Sequence, residues 1–200
     1  ASIYVERKVS MIKGNKTILK AATLADRHRV YEWCFQSETT KSHSGPPDYP
    51  EKKIATFQEF YEDYYEEYYF NGTRPEKGQG FIIMNDQEAV GFISYSAFHL
   101  KPHSAELDIW MKDEANCGKD FGNDAILALS NYLNQQLAID LLILAPSNKN
   151  IRAIKSYEKS GFKRTNKMMS DFLSKDYQSL YGTGDCGVSG TAILIKCFAK

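Results

Sequence analysis

Between Leu141 and Phe162 the chain sets out a strand, a turn and a short one-sided helix in close succession, an order that points to a mixed α/β architecture. Leu141 to Leu144 is a short apolar run of the kind a buried strand shows. Pro146 to Lys149 interrupts it, and Asn150 then offers an N-cap to a helix whose Ile151, Ile154 and Tyr157 recur at core-compatible spacing. Gly161 suits the left-handed residue that ends such a helix, and Lys163 to Ser170 carries a weaker strand pattern beyond it.

The remaining elements extend the same alternation. After a polar extension over 1–15, Thr17 to Ala21 predicts a short strand. Thr23 caps a predicted helix through about Ser37, with Leu24, His28, Tyr31, Cys34 and Phe35 at helical spacing. Glu38 to Ala55 contains Gly45-Pro46-Pro47 and Pro50, which sustain neither a helix nor a central strand, so it reads as a long loop of the kind that often carries function. From Phe57 to Phe70 the aromatic stripe predicts one amphipathic helix with an acidic opposite face, ended by Asn71-Gly72-Thr73 and Pro75. Gly80 to Met84 and Ala89 to Phe98 predict two strands joined at Asn85-Asp86-Gln87-Glu88, and Ala105 to Met111 a third, in an antiparallel meander. A helix beginning near Gly122 and marked by Ile126, Leu129 and Leu133 precedes Leu141, and Thr191 to Phe198 predicts the last strand. No repeat or linker divides the chain, so one domain over 1–200 with one core is expected.

Composition excludes several functions. With 42% hydrophobic and 25% charged residues the chain is globular rather than disordered. Lys plus Arg number 25, as do Asp plus Glu, and no basic stripe exists to grip nucleic-acid phosphates. No apolar stretch approaches the roughly 20 residues of a membrane span, and Ala1 to Lys16 lacks a signal-peptide core. Cys34, Cys117, Cys186 and Cys197 form no CxxC pair, and no HExxH occurs, so free thiols, no metal and a cytoplasmic location are expected. The sequons at Asn15 and Asn71 are then accidental.

The stretch from Asn150 to Phe162 resembles the signature Asn-x-x-Ala-x-x-x-Tyr-x-Lys-x-Gly-Phe of the GNAT N-acetyltransferases, matching it at Asn150, Ala153, Tyr157, Lys159, Gly161 and Phe162. The resemblance implies a GNAT fold, a central and mostly antiparallel sheet flanked by helices. It also implies that acetyl-coenzyme A sits where the strand at Ala105 to Met111 splays from that at Leu141 to Leu144. Weaker likeness runs from Ile18 to Phe162. Leu19-Lys20, Tyr31-Glu32-Trp33, the Thr56 to Tyr65 helix and Ala105 to Trp110 look like the subgroup holding the aminoglycoside 6′-N-acetyltransferases and, more distantly, the ribosomal-protein acetyltransferases. The family's phosphate-binding pattern, Arg or Gln-x-x-Gly-x-Gly or Ala, falls on Cys117-Gly118-Lys119-Asp120-Phe121-Gly122, with Asn123 following. Backbone N–H groups at a helix start suit a pyrophosphate, and Gly118, Lys119 and Gly122 serve that need. Cys117 and Asp120 depart from the pattern, and a carboxylate there repels phosphate unless it turns away.

Acetyl transfer to an amine needs a base, because an ammonium cannot attack a thioester. Glu106 matches the ribosomal-protein subgroup and Asp108 the antibiotic-acetylating one; side chains two apart on a strand share a face, so both can reach one cleft. The resemblance places oxyanion donors on the backbone near Trp110 and Met111, and makes Tyr157 the proton donor to the leaving thiolate. Asn150 binds the cofactor arm in this reading or simply caps its helix. The implied acceptor is a primary amine on a small cationic molecule, aminoglycoside- or polyamine-like, with Trp33, Tyr49 and Tyr61 as an aromatic wall; a protein N-terminus or lysine, and a GNAT-fold binder without turnover, are the alternatives. A homodimer is compatible with the resemblance and not required by it. Gly182 to Gly187 spells GxGxxG but precedes a strand, so it reads as a hairpin loop, and the four histidines lack metal-ligand spacing.

Overall fold

The computed structural model describes residues 9–40, 54–178 and 190–199. Among the described residues eight strands form one sheet: β1 (Met11–Lys13), β2 (Ile18–Ala21), β3 (Gly78–Asn85), β4 (Glu88–Ser96), β5 (Ser104–Met111), β6 (Leu141–Leu144), β7 (Lys163–Arg164) and β8 (Leu194–Cys197), in the order β1-β2-β3-β4-β5-β6-β8-β7. Every neighbouring pair is antiparallel except β5 and β6. A parallel pair cannot close through a tight turn and needs a crossover. Here the crossover contains the long helix α2 (Phe121–Leu137), while α1 (Arg27–Phe35) lies between β2 and β3 in sequence and α3 (Ile151–Lys159) between β6 and β7.

Strand alternation divides the core between the sheet's faces. Phe81 and Ile83 of β3, and Ala105 and Leu107 of β5, join Ile126, Leu129 and Leu133 of α2 and Ile154 of α3. Ile82 of β3 and Trp110 of β5 point the other way, into an aromatic cluster with Tyr31 of α1, Phe60, Tyr65, Tyr68, Tyr69 and Phe70.

Most predicted elements are present, with four differences. The polar extension hides β1, in which only Ile12 of the triplet is buried, too little alternation to read as a strand. The helix begun by Thr23 opens with a 3₁₀ turn, Leu24–Asp26, before α1. The continuous helix expected over Phe57 to Phe70 does not form. A Thr56 and Glu59 capping box starts one turn, a π-helical stretch follows over Phe60–Tyr64, and the chain breaks before a 3₁₀ turn at Glu67–Phe70. In a regular helix Phe70 falls outside the stripe of Tyr65, Tyr68 and Tyr69, whereas the break buries all four; tertiary packing outweighs the local period. Lastly, pairing beyond Phe162 stops at Arg164, because Met169, Phe172 and Leu173 turn into a third apolar cluster with Ile143. The Gly-rich GxGxxG segment and most of the Pro-rich loop lie outside the described residues.

Candidate active site

The sheet opens where β5 meets β6. Their register runs only from Ser104 and Leu141 to Glu106 and Ile143, so β5 continues to Met111 with no strand partner on that edge. The Lys112 N–H donates to Val90 O on β4. By antiparallel alternation Trp110 also directs its backbone to β4, while Ile109 and Met111 present theirs to the open edge. Of the two expected backbone donors, the Met111 N–H is therefore the one at the opening. The Thr39 hydroxyl donates to Met111 O at 3.1 Å and fixes this end of the strand.

A cleft of about 420 Å³ occupies the opening. Ile109, Trp110 and Met111 form one side. Cys117, Gly118, Asp120, Phe121, Gly122 and Asn123 line it at the start of α2, and Asn150, Ala153, Tyr157 and Lys159 line it from α3. Lys119 alone of the predicted phosphate loop lies outside the lining. Gly118 has φ +73°, which disfavours a side chain, and a Cβ there would meet nothing within 4 Å. The loop thus leaves its backbone bare beside a helix start, as a pyrophosphate requires. Asp120 also adopts a left-handed φ of 64°. Its carboxylate lies 3.4 Å from Lys16 Nζ, but both side chains are more than half exposed, so the compensation is weak.

Asn150 resolves in favour of a cap: its side-chain oxygen accepts the Ala153 N–H at 3.1 Å while the residue still lines the cleft. Gly161, at φ +88°, ends α3 as expected. Ser156 and Ser160 both donate to Asn123 Oδ1, at 2.7 and 3.0 Å, and lock α3 against α2.

Glu106 and Asp108 share the β5 face that carries Trp110; neither lines the cleft, and each has its own partner. Tyr65 Oη donates to Asp108 Oδ2 at 2.8 Å, which leaves Ser94 Oγ, 2.9 Å away, to donate to Tyr65. His99 Nε2 lies 2.8 Å from Glu106 Oε2; a carboxylate only accepts, so that ring nitrogen carries the proton. Solvent reaches Asp108, yet protein surrounds it closely. Lost hydration pushes its carboxyl up to about 6; the Tyr65 hydroxyl and Ile109 N–H oppose the rise and the Glu106 charge adds to it. Water at the carboxylate moderates the effect. Burial raises the Tyr157 phenol well above its usual value, and the charge of Asp108 contributes. A phenol held protonated is a competent proton donor.

The predicted acceptor residues are less convergent. Trp33 packs against the aromatic cluster with Arg29 5.3 Å from its ring, and Arg27 covers Tyr61 at 4.0 Å; neither aromatic lines the cleft. Tyr49 lies outside the described residues. Thr39, Tyr65, Ser94, His99 and Arg152 are polar residues of the site that sequence reasoning passed over, since no spacing rule links them to β5 or to the phosphate loop. Among the described residues no cluster could hold a metal ion, and no helix is long and apolar enough to cross a membrane. Cys34, Cys117 and Cys197 are free thiols.

Comparison with known proteins agrees with this architecture. None of the curated proteins matches at a significant level. Among solved structures the chain is similar to aminoglycoside acetyltransferase AAC(6')-Ib in complex with paromomycin and acetyl-CoA, at 19% identity and TM-score 0.64 over 92% of this chain and 94% of that one. It is likewise similar to spermidine N-acetyltransferase from Vibrio cholerae in complex with CoA and spermine, at 17% identity and TM-score 0.61 over 91% and 95%. A provisionally assigned ribosomal-protein-serine acetyltransferase from Vibrio cholerae gives 16% and 0.60 over 94% and 97%. At such identities the likeness is one of fold. The acetyltransferase (GNAT) domain model matches residues 16–163, spanning the splayed strands, the phosphate loop and the α3 signature, and the chain is a member of the GNAT acetyltransferase family.

Proposed function

We propose that this chain transfers an acetyl group from acetyl-coenzyme A to a primary amine on a small cationic molecule, aminoglycoside- or polyamine-like, by direct attack. The observation that carries the reading is the cleft at the open edge of β5, which Met111, the bare loop at Gly118 and Tyr157 line together, with the Asp108 carboxylate held on the same strand by Tyr65. Acetyl-coenzyme A, when bound, supplies the thioester. The residues from Gly118 to Asn123 offer bare backbone for its phosphates, and the Met111 N–H stands at the strand edge where a developing oxyanion needs a donor.

Asp108 then serves as base. Above pH about 6 it is ionised and can take a proton from an ammonium, directly or through water. Tyr157 donates the proton the departing thiolate needs. Glu106, engaged by His99, keeps a second negative charge on the same face and favours a cationic acceptor. Trp33 and Tyr61 stay candidates for the acceptor's approach from the aromatic side, and a cytoplasmic location suits a chain using this cofactor.

Thiol release from acetyl-coenzyme A, followed over aminoglycosides, polyamines and peptides, tests the reading. Small amines should support release. Calorimetric binding of the cofactor with no release for any amine would make the chain a non-catalytic binder, and release with peptides alone would overturn the acceptor. Tyr157→Phe should lower turnover by about 100-fold with cofactor affinity unchanged, as for a group used only in the reaction. Equal losses in both would assign Tyr157 to packing.

A further inference from the structure

The phosphate loop lacks the arginine or glutamine of its family at Cys117, and the fold brings an arginine to the same place from α3. Arg152, in the first turn of that helix, lines the cleft together with Cys117, Gly118 and Asn123. Its guanidinium is near enough to oppose the rise that burial imposes on the Cys117 thiol. Glu114, in the 3₁₀ turn Glu114–Asn116 just ahead of the loop, clasps it in a two-pronged bond, Nη1 to Oε2 at 2.7 Å and Nη2 to Oε1 at 3.0 Å. The clasp joins the segment leading into α2 with α3. The Arg152 side chain is 54% exposed and that of Glu114 39%. Water reaches both side chains, so a doubly charged anion can compete with the carboxylate for the guanidinium. The planar guanidinium fork fits a phosphate as well as it fits a carboxylate.

We propose that Arg152 is the pyrophosphate-binding arginine of this chain. It supplies through space, from α3, the cation that the family pattern places at position 117, and Glu114 holds it at the cleft until the diphosphate takes the carboxylate's place. The assignment rests on the reading that coenzyme A binds here, and it accounts for how a loop with Cys117 and Asp120 can still hold an anion.

Calorimetric titration of the full chain with coenzyme A, 3′-dephospho-coenzyme A and pantetheine provides the test. Arg152→Met should weaken both phosphate-bearing ligands by about 10-fold, the scale of one charge-assisted bond, and leave pantetheine unchanged. Glu114→Gln, which removes the competitor, should tighten both by about 3-fold. Cys117→Arg in the Arg152→Met background should restore part of the loss. If the unaltered chain binds no coenzyme A, the functional reading itself fails. If it binds and Arg152→Met binds equally well, Arg152 has no such role. A loss confined to coenzyme A moves the contact to the 3′-phosphate, and a loss shared by pantetheine makes Arg152 a packing residue; either overturns the proposal. Should Arg152→Met fail to fold, the Glu114→Gln result decides, since unchanged affinity there removes the exchange on which the proposal depends.

Discussion

Asp108→Asn is expected to lower kcat/KM by about 1,000-fold and to erase the acidic limb of its pH profile, within the range that positioned acid–base groups contribute. In the unaltered chain the limb should fall near pH 6, where the carboxyl titrates. The sign follows from the base role: protonation below that value removes the acceptor for the ammonium proton, so activity is present above it and lost below. Tyr65→Phe deletes a hydrogen bond that favours the ionised form, so it should move the limb to higher pH without abolishing it. A folding defect is not expected in Asp108→Asn. A carboxyl whose folded-state pKa is raised favours the fold only at low pH and opposes it as pH rises through about 6, so at neutral pH the amide should melt no lower. If Glu106→Gln loses the limb instead, Glu106 is the base and a peptide acceptor gains support. If both variants keep full rate, water or another group deprotonates the amine and the mechanism is wrong.

The largest stability effect is expected away from the chemistry, at Asp124 in the first turn of α2. Its carboxylate accepts the N–H groups of Asn15, Lys16 and Thr17 at 3.0, 2.9 and 2.8 Å, and the Thr17 hydroxyl at 2.8 Å. Gly14 approaches so closely that a Cβ there would lie 2.4 Å from Asp124 Oδ2. The β1–β2 turn is thus wrapped around one side chain, which ties the edge of the sheet to the helix that begins at the phosphate loop. Asp124→Ala strands these donors and should cost about 3 kcal/mol, a fall of roughly 9 °C in Tm for a chain of this size. Asp124→Asn should lose less, because its carbonyl still accepts. Burial pushes the Asp124 carboxyl up, but the Lys16 N–H, the Thr17 hydroxyl and the other donors together pull it below its usual value. A depressed acid contributes stability above its unfolded-state pKa, near 4, and loses it as pH falls through the folded value. Thermal unfolding from pH 7 to pH 3 should therefore show an acid-labile increment that Asp124→Ala lacks. Equal melting of the two forms at neutral pH would refute the clamp.

Local information in the sequence was sufficient for much of the fold. Asn150, the apolar spacing of α3 and Gly161 specify a capped helix through neighbours a few residues away, and it forms as read. The same holds for the β3–β4 hairpin and α2, while the splay, where β6 ends at Leu144 and β5 runs on to Met111, is what the family resemblance implied. The family signature lies in one contiguous segment, so the α3 wall of the cleft was legible as well. What the tertiary structure decided depends on partners far apart in the chain. The Phe57 to Phe70 stripe has a helical period, but burial of Tyr65 and Tyr69 against β3 and β4 breaks it, and only that break sets Tyr65 on Asp108. The two carboxylates of β5 look alike in sequence; their partners, Tyr65 for one and His99 for the other, make them different. Arg152 is an ordinary exposed residue of a helix until the crossover through α2 brings Glu114 and Cys117 beside it. Periodicity and capping act over three or four residues and can be read along a chain, whereas the charge, hydration and hydrogen bonding that tune a carboxylate are summed over space.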